Sequence, residues 1–191
     1  HALARILFGE VNPSGKLPMS FPVKLEDTPA HHNGNMLDKK VAKHPETVFI
    51  GYRWHESKKI KPMFPFGYGL SYTTFKMGNM KVSASEFKPG KPLTVTVDVT
   101  NTGTVAGAEV VQLYVHDKKS SVERPYRELK GFGKVMLQPG ETKTISMELK
   151  DRSFSFWDEK TNNWLIEPGT FTLLAGNASD NVQCQKDIVV K

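Results

Sequence analysis

The chain has 191 residues, of which 38% are hydrophobic and 24% are charged, and its formal net charge is +6 at pH 7. This composition is typical of a globular protein and excludes an intrinsically disordered chain. No apolar run approaches the roughly 18 residues that a membrane-spanning helix needs, so we expect no membrane span. The single cysteine, Cys184, excludes an internal disulfide.

The positive charge does not indicate a nucleic-acid partner. The lysines occur in scattered pairs rather than along one periodic face, for example Lys39-Lys40, Lys58-Lys59 and Lys118-Lys119. No helix-turn-helix, zinc-finger or RNA-binding signature accompanies them. We therefore interpret the charge as solvated surface charge and expect no nucleic acid to bind.

The N-terminal part of the chain is rich in Pro, Gly and His and shows little regular periodicity. Residues 1–9 predict the end of an amphipathic helix, so we expect further chain upstream. Alternating apolar residues predict a short strand over 17–21 and a second strand over 47–54, and residues 24–46 predict a polar loop. The segment 64–75 (FPFGYGLSYTTF) predicts a packed linker, because flexible linkers are rich in Gly and Ser and lack aromatic rings.

The remainder of the chain has the pattern of a β-sandwich. Residues 93–100 (LTVTVDVT) alternate apolar and polar side chains, as a half-buried antiparallel strand does. Four later segments show similar patterns, and Pro-Gly pairs mark turns at the strand starts. About seven short strands over roughly 110 residues predict an immunoglobulin-like or fibronectin type III-like antiparallel sandwich, without a substantial helix. We expect eight side chains to be buried between its sheets: Val95, Val97, Val111, Leu113, Ile145, Met147, Phe171 and Leu173.

Catalytic and metal-binding groups are not evident in the sequence. General acid–base catalysis often uses paired carboxyl groups, but Asp151, Asp158 and Glu159 lie in or near turns, where carboxylates cap the backbone, and Glu109 begins a strand. The neighbouring pair His31-His32 cannot easily direct both rings to one ion, and no third ligand is suitably spaced. The sequence therefore predicts no catalytic residue, no metal site and no cofactor in this chain.

Six aromatic residues crowd into the region from 54 to 75: Trp54, Phe64, Phe66, Tyr68, Tyr72 and Phe75. Aromatic rings are enriched where protein surfaces meet, which favours a role in joining two domains. A ring face also covers the apolar C–H face of a pyranose, which suits a sugar site. We favour the joining role and regard Trp54, Phe64, Phe66 and Tyr68 as the candidate residues for a substrate-binding rim.

Six segments in a fixed order carry a family resemblance: ILFGEVNPSGKLPMSFP, VFIGYRW, PMFPFGYGLSYTTF, VTVDVTNTGTVAGAEVVQLYV, RPYRELKGFGKVMLQPGET and WLIEPGTFTLLAGNAS. Together they resemble the C-terminal region of glycoside hydrolase family 3, and its β-glucosidases in particular. The resemblance implies a (β/α)₈ barrel and an α/β sandwich in the whole enzyme. It also implies an incomplete α/β-sandwich tail at 1–22, a connecting segment at 23–75 and a fibronectin type III-like domain at 76–191.

The resemblance implies that the whole protein is a retaining β-glucosidase acting on terminal β-D-glucosides. Such enzymes use two carboxyl groups about 5–5.5 Å apart. The family's nucleophilic aspartate and acid/base glutamate lie in upstream segments, and no position here matches either motif. The resemblance thus implies a chain that is inactive alone, whose partner is the remainder of the enzyme. It also implies a periplasmic or extracellular location, and it does not separate glucosides from xylosides.

A stand-alone β-sandwich module for carbohydrate binding or adhesion is the competing hypothesis, because β-sandwiches host many binding functions. Residues 1–22 discriminate between the two hypotheses. A free-standing module has no use for a helix end and an edge strand that match another domain's tail, so these residues favour the enzyme.

Overall fold

A computed structural model describes residues 1–32 and 43–191. The helices in these ranges are short: α1 Ala2–Leu7, α2 Pro29–His32, α3 Tyr52–Lys58 and α4 Asp151–Phe154, together with a 3₁₀ turn at Leu25–Asp27. Nowhere in the described ranges is a helix long and apolar enough to cross a bilayer.

Among the described residues, ten strands follow one another from Phe75 onward: β1 Phe75–Val82, β2 Glu86–Phe87, β3 Leu93–Asn101, β4 Gly107–Asp117, β5 Glu128–Leu137, β6 Thr142–Leu149, β7 Phe156–Asp158, β8 Asn163–Leu165, β9 Gly169–Ala178 and β10 Asn181–Val190. One sheet has the order β1-β3-β6, a second has the order β2-β10-β9-β4-β5, and β7 pairs with β8 in a separate hairpin. Every pairing is antiparallel except that of β2 with β10. The predicted antiparallel sandwich is confirmed, and the single turn of α4 was not predicted.

The hydrophobic core lies between the two larger sheets, where the alternating side chains of their strands meet. Strand β3 alternates strictly between buried and half-buried residues, so Val97 faces inward and belongs to the same core cluster as Leu113 and Leu173 of the other sheet. Seven of the eight predicted core side chains are buried, and Ile145 is half-buried. Ile145 of β6 faces Gly133 of β5, which has no side chain to cover it. Both β5 and β6 are edge strands of their sheets, so Ile145 also has no neighbouring strand on one side.

The predictions of two strands before β1 are wrong. The run 47–54 forms a turn and then enters α3 at Tyr52. Its β-favouring residues pair with no strand in the described part of the chain. In the helix, by contrast, the Trp54 side chain is buried against the rest of the protein. The strand expected over 17–21 is reduced to one bridge between Phe21 and Phe64, because Pro18 within the run and Pro22 after it have no backbone N–H to donate.

The predicted polar loop at 24–46 is described only in part. Residues 33–42, which include the Lys39-Lys40 pair, lie outside the described residues. The described part contains the 3₁₀ turn and α2, so His31 and His32 lie in a helix rather than in a loop. Among the described residues, no group of three His, Cys, Asp or Glu side chains is placed to hold a metal ion.

Candidate functional site: the linker face of the sandwich

The outer surface of strand β4 is covered by the segments that precede the sandwich. Adjacent strand residues point to opposite faces, and Leu113 and Val115 lie in the core, so Gln112 and Tyr114 point outward. Both outward side chains are nevertheless buried, with Gln112 3% and Tyr114 0% exposed. We call this covered surface, built from residues 12–21 and 52–75 packed on β4, β5 and β9, the linker face.

A stack of three aromatic rings forms the centre of the linker face. Phe66 stacks on Tyr52 at a centroid distance of 5.0 Å, and Tyr52 meets the ring of Tyr114 edge-on at 5.8 Å. The Tyr52 hydroxyl also accepts a hydrogen bond from the backbone N–H of Leu129 at 2.7 Å. Burial raises the pKa of Tyr114 well above its ordinary value, so this hydroxyl stays protonated and donates to Gln112.

The amide of Gln112 connects the linker to strand β9. Its Nε2 donates to the carbonyl of Asn177 at 2.9 Å and lies 3.5 Å from the carbonyl of Gly67. The carbonyl of Phe66 accepts the backbone N–H of Ser179 at 2.8 Å. These contacts hold the backbone of the linker against the sheet, and at Gly67 it packs directly on the side-chain amide of Gln112.

Asn12 fastens the N-terminal segment to the linker and to the sandwich at once. Its Oδ1 accepts from the backbone N–H of Tyr72 at 2.8 Å and from the hydroxyl of Ser71 at 3.0 Å. Its Nδ2 donates to the carbonyl of Ala106 at 3.0 Å, just before β4. One side chain therefore uses three hydrogen bonds to join three separate parts of the chain.

A largely buried ion pair joins Lys16 of the N-terminal segment to Glu109 of strand β4. The Lys16 ammonium is 2.7 Å from Glu109 Oε1, and their side chains are only 15% and 5% exposed. The second carboxylate oxygen of Glu109 accepts from the amide of Asn177 at 3.0 Å. A buried charge is costly unless it is paired and hydrogen-bonded, so Lys16 and Glu109 depend on each other across this contact.

A second set of charges joins α3 to the loop before β5. Arg127 forms an ion pair with Glu56 of α3, and their side chains are 10% and 14% exposed. The hydroxyl of Ser57 accepts the backbone N–H of Tyr126 at 3.0 Å. Helix α3 is thus held by its side chains to residues that immediately precede β5.

Glu128 is the centre of a small charge cluster next to this contact. Its carboxylate lies 2.9 Å from Arg124, 2.8 Å from Lys130 and 3.9 Å from Arg53 of α3. Burial alone raises the pKa of Glu128, but Lys130 and Arg124 outweigh that effect and the pKa falls below its ordinary value. Burial lowers the pKa of Lys130, an effect that Glu128 only partly offsets.

The structure places the four candidate rim residues in three different contacts rather than on one surface. Phe66 belongs to the aromatic stack, whereas Phe64 packs against Tyr68 at a centroid distance of 5.1 Å. Trp54 is only 4% exposed, and its Nε1 donates to the carbonyl of Asp27 at 2.9 Å.

Sequence reasoning missed the sandwich side of the linker face. Tyr52, Gln112, Tyr114 and Arg127 all contribute to it, and none was a candidate residue. One signal was present: Leu-Tyr-Val at 113–115 is a continuous apolar run inside an alternating strand, which indicates a strand covered on both faces.

Comparison with known families explains why two parts of the chain meet here. Residues 1–72 match the family model for the glycosyl hydrolase family 3 C-terminal domain, and residues 109–179 match that for the fibronectin type III-like domain. The chain belongs to glycoside hydrolase family 3. The linker face is the contact between its two matched regions, because Asn12, Lys16 and Tyr52 lie in the first and Gln112 and Arg127 in the second.

Relatives of this glycoside hydrolase family 3 chain are similar over nearly all of its length. A β-glucosidase of Bacteroides ovatus is 47% identical over 183 residues, covering 94% of this chain and 24% of the relative. The thermostable β-glucosidase B of Acetivibrio thermocellus is 47% identical over 190 residues, covering 100% of this chain and 24% of the relative. The chain therefore spans about a quarter of the length of these relatives.

Solved structures of the family contain the same architecture. A β-glucosidase of Kluyveromyces marxianus, crystallised with glucose, superposes with a TM-score of 0.90 at 40% identity, covering 100% of this chain and 22% of that structure. A family 3 β-glucosidase of Bifidobacterium adolescentis superposes with a TM-score of 0.91 at 39% identity, covering 99% of this chain and 27% of that structure. The sandwich and the linker packed on it thus form a shared C-terminal unit.

Proposed function

We propose that this chain is the C-terminal scaffold of a retaining β-glucosidase that hydrolyses terminal β-D-glucosides. The observation that carries the proposal is similarity to proteins named β-glucosidase, which are 44–48% identical over 90–100% of this chain. In this proposal the remainder of the polypeptide is the chain's partner and supplies both catalytic carboxyl groups.

The carboxyl groups of the chain support a scaffold role. A glycosidase needs one carboxyl group whose pKa is raised, so that it can donate a proton. The described carboxyl groups with a clearly shifted pKa all move downward instead, among them Glu128, Glu167 and Asp187. The buried Glu109 and Asp117 are each paired with a basic side chain, Lys16 and Arg124 respectively. These groups are suited to holding structure rather than to transferring protons.

In the scaffold role, the linker face fixes how the N-terminal segments are placed relative to the β-sandwich. We place the end of an α/β sandwich at 1–22, the connecting segment at 23–75 and the fibronectin type III-like domain at 76–191. The fibronectin type III-like domain fixes the position of the segments before it through three contacts: the Lys16–Glu109 ion pair, the hydrogen bonds of the Asn12 amide and the Glu56–Arg127 ion pair. A catalytic domain attached to those segments would then be held in one orientation.

Two of the candidate rim residues retain that role in the proposal. Phe64 is 37% exposed and Tyr68 is half-buried beside it, so both have ring surface that a substrate or another domain can reach. Trp54 is buried and Phe66 is stacked on Tyr52, which favours a structural role for these two rings.

A stand-alone binding module is less well supported. Such a module would not need the segment at 12–16 to be fixed to the sandwich by a buried ion pair. The match of residues 1–72 to the family's own C-terminal domain also favours the enzyme.

The proposal is tested by comparing the whole protein with this chain alone on aryl β-D-glucosides. We expect the whole protein to release glucose, and proton NMR to show the β-anomer first, as retention requires. We expect the isolated chain to show no turnover above a buffer blank. Turnover by the purified chain that one acidic substitution abolishes, or a whole protein inactive on glucosides and xylosides alike, would refute the proposal.

The proposal includes a periplasmic or extracellular location for the whole enzyme. Fractionation of the producing cells, with activity and immunoblot measured in each fraction, tests this location. Recovery of the enzyme together with a cytoplasmic marker would contradict it.

A further inference from the structure

The β7–β8 hairpin exposes two indole rings on one small surface. Trp157 and Trp164 are 44% and 41% exposed, and neither belongs to the core between the large sheets. Leu165, next to them, is 41% exposed. Trp157 and Trp164 form an exposed apolar surface that the linker face does not use, whereas Leu165 follows Trp164 on the strand and points to the opposite face.

The two rings contact each other, and Trp164 is also covered on one face by Arg152. Trp157 and Trp164 are cross-strand partners, with ring centroids 5.3 Å apart and planes at 64°. Arg152 of α4 places its guanidinium carbon 3.3 Å from the centroid of Trp164. A ring that is already immobilised loses little conformational entropy when a ligand stacks on it, so this arrangement favours binding.

Stabilisation of the hairpin explains the contact between the rings, since cross-strand aromatic pairs stabilise antiparallel strands. It does not explain the hydrogen-bond donors around them. Among the described residues, the indole nitrogens of Trp157 and Trp164 donate no hydrogen bond to protein, and no carboxylate lies within ion-pair distance of Arg152. Asn163 uses its oxygen to accept the N–H of Trp164 at 2.8 Å, which leaves its NH₂ group available.

The charges of the hairpin select the class of ligand. Over the hairpin and residues 150–154 before it, Lys150, Arg152 and Lys160 balance Asp151, Asp158 and Glu159, three basic against three acidic side chains, whereas the whole chain carries a net charge of +6. A locally neutral surface gives no electrostatic attraction to a polyanion. The exposed ring of Trp157 and the uncovered part of Trp164, beside unused N–H donors, instead match a neutral polyhydroxylated ligand, whose C–H faces stack on rings and whose hydroxyls accept hydrogen bonds.

We propose that the Trp157–Trp164 hairpin is a carbohydrate-binding surface that holds a glucosyl unit of a neutral β-glucan chain, with Arg152 and Asn163 donating to its hydroxyls. The choice of a β-glucan rests on the proposed β-glucosidase function. The surface would keep the enzyme on a polymer whose chain ends it hydrolyses.

Affinity electrophoresis of the whole protein tests this proposal. Native gels are run in the cold with and without soluble mixed-linkage β-glucan, for the wild type and for Trp157→Ala, Trp164→Ala and Arg152→Gln. Phe132→Ala, which removes another ring that is 72% exposed, is the matched control. We expect the glucan to retard the wild type and the control, each tryptophan variant to lose at least three-quarters of the retardation, and Arg152→Gln to lose part of it.

Turnover of an aryl β-glucoside and the thermal midpoint are measured on the same samples. We expect both to be unchanged in Trp157→Ala, whose ring lies outside the core, so loss of retardation would not reflect unfolding. An unretarded wild type, or retardation that persists in both folded tryptophan variants, would overturn the proposal. Retardation without glucosidase activity would instead contradict the proposed function and leave the binding surface standing.

Discussion

The side-chain amide of Gln112 lies where a methyl group on Gly67 would have to be. Gly67 also has a φ of +81°, a conformation that residues with a Cβ rarely adopt. The backbone of the linker at Gly67 therefore packs directly on the Gln112 side chain of strand β4, with no room for a Cβ between them. Gly67 and Gln112 belong to the two family-matched regions, so this close contact joins those regions.

Gly67→Ala should destabilise the protein by about 2–4 kcal/mol, through the positive φ and the collision with Gln112. Gly78→Ala is the control, because Gly78 has open space around it and no positive φ. Urea unfolding of both variants measures the difference. Equal stabilities for the two variants would show that the linker backbone can move away from the sheet at little cost.

Tyr52→Phe should lower the free energy of unfolding by about 1–2 kcal/mol, because the half-buried N–H of Leu129 loses its acceptor. The aromatic stack with Phe66 stays intact in this variant. Tyr126→Phe serves as the control, since in the described structure the Tyr126 hydroxyl makes no hydrogen bond to protein. Thermal unfolding of the two variants should differ, and a similar loss in both would argue against the Leu129 contact.

A double-mutant cycle should detect the ion pair between Glu56 and Arg127. We expect a coupling energy of about 1–3 kcal/mol between Glu56→Gln and Arg127→Gln, because the two groups are largely buried and in contact. The exposed pair Glu148–Lys150, with side chains 50% and 73% exposed, should give less than about 1 kcal/mol. Indistinguishable couplings would mean that α3 is not held by this pair.

Lowering the pH should reduce the stability of the fold partly because Glu128 becomes protonated. Its folded-state pKa lies below the ordinary value of 4.5, so its charged form stabilises the fold above that value and the contribution is lost as pH falls through the folded pKa. The thermal midpoint of Glu128→Gln should therefore lie below that of the wild type at neutral pH. Between pH 5 and about 3, the thermal midpoint of Glu128→Gln should fall by less than that of the wild type. An equal fall in both proteins would show that Glu128 does not cause the loss of stability in acid.

Phe154→Ala should cost about 3–5 kcal/mol, because this fully buried ring contacts Phe87 at a centroid distance of 4.2 Å and Phe171 at 5.6 Å. The loss should appear in the midpoint of urea unfolding. Phe132→Ala removes a ring of the same size that is 72% exposed, and it should change stability by less than about 0.5 kcal/mol. A small loss for Phe154→Ala would show that α4 does not close that part of the core.

The sequence by itself determined the sandwich and most of its core. Strict alternation over 93–100 leaves one workable arrangement, because a shift by one residue would turn every apolar side chain towards water. The prediction of burial held for residues inside a sheet, such as Val97 and Leu113, and was weaker for Ile145 on an edge strand. Local periodicity reports which face of a strand is apolar, but not whether a neighbour covers it.

Only the tertiary structure decided the linker face and the conformation of 47–54. The strand propensity of that run had no partner strand to satisfy it within the described residues, and burial of Trp54 in a helix prevailed. The pairs Lys16–Glu109 and Glu56–Arg127 join residues far apart in the chain, and each charge alone resembles an ordinary surface residue. Their buried contact follows from how the linker crosses the sheet, because pairing through space leaves no periodic trace in the sequence.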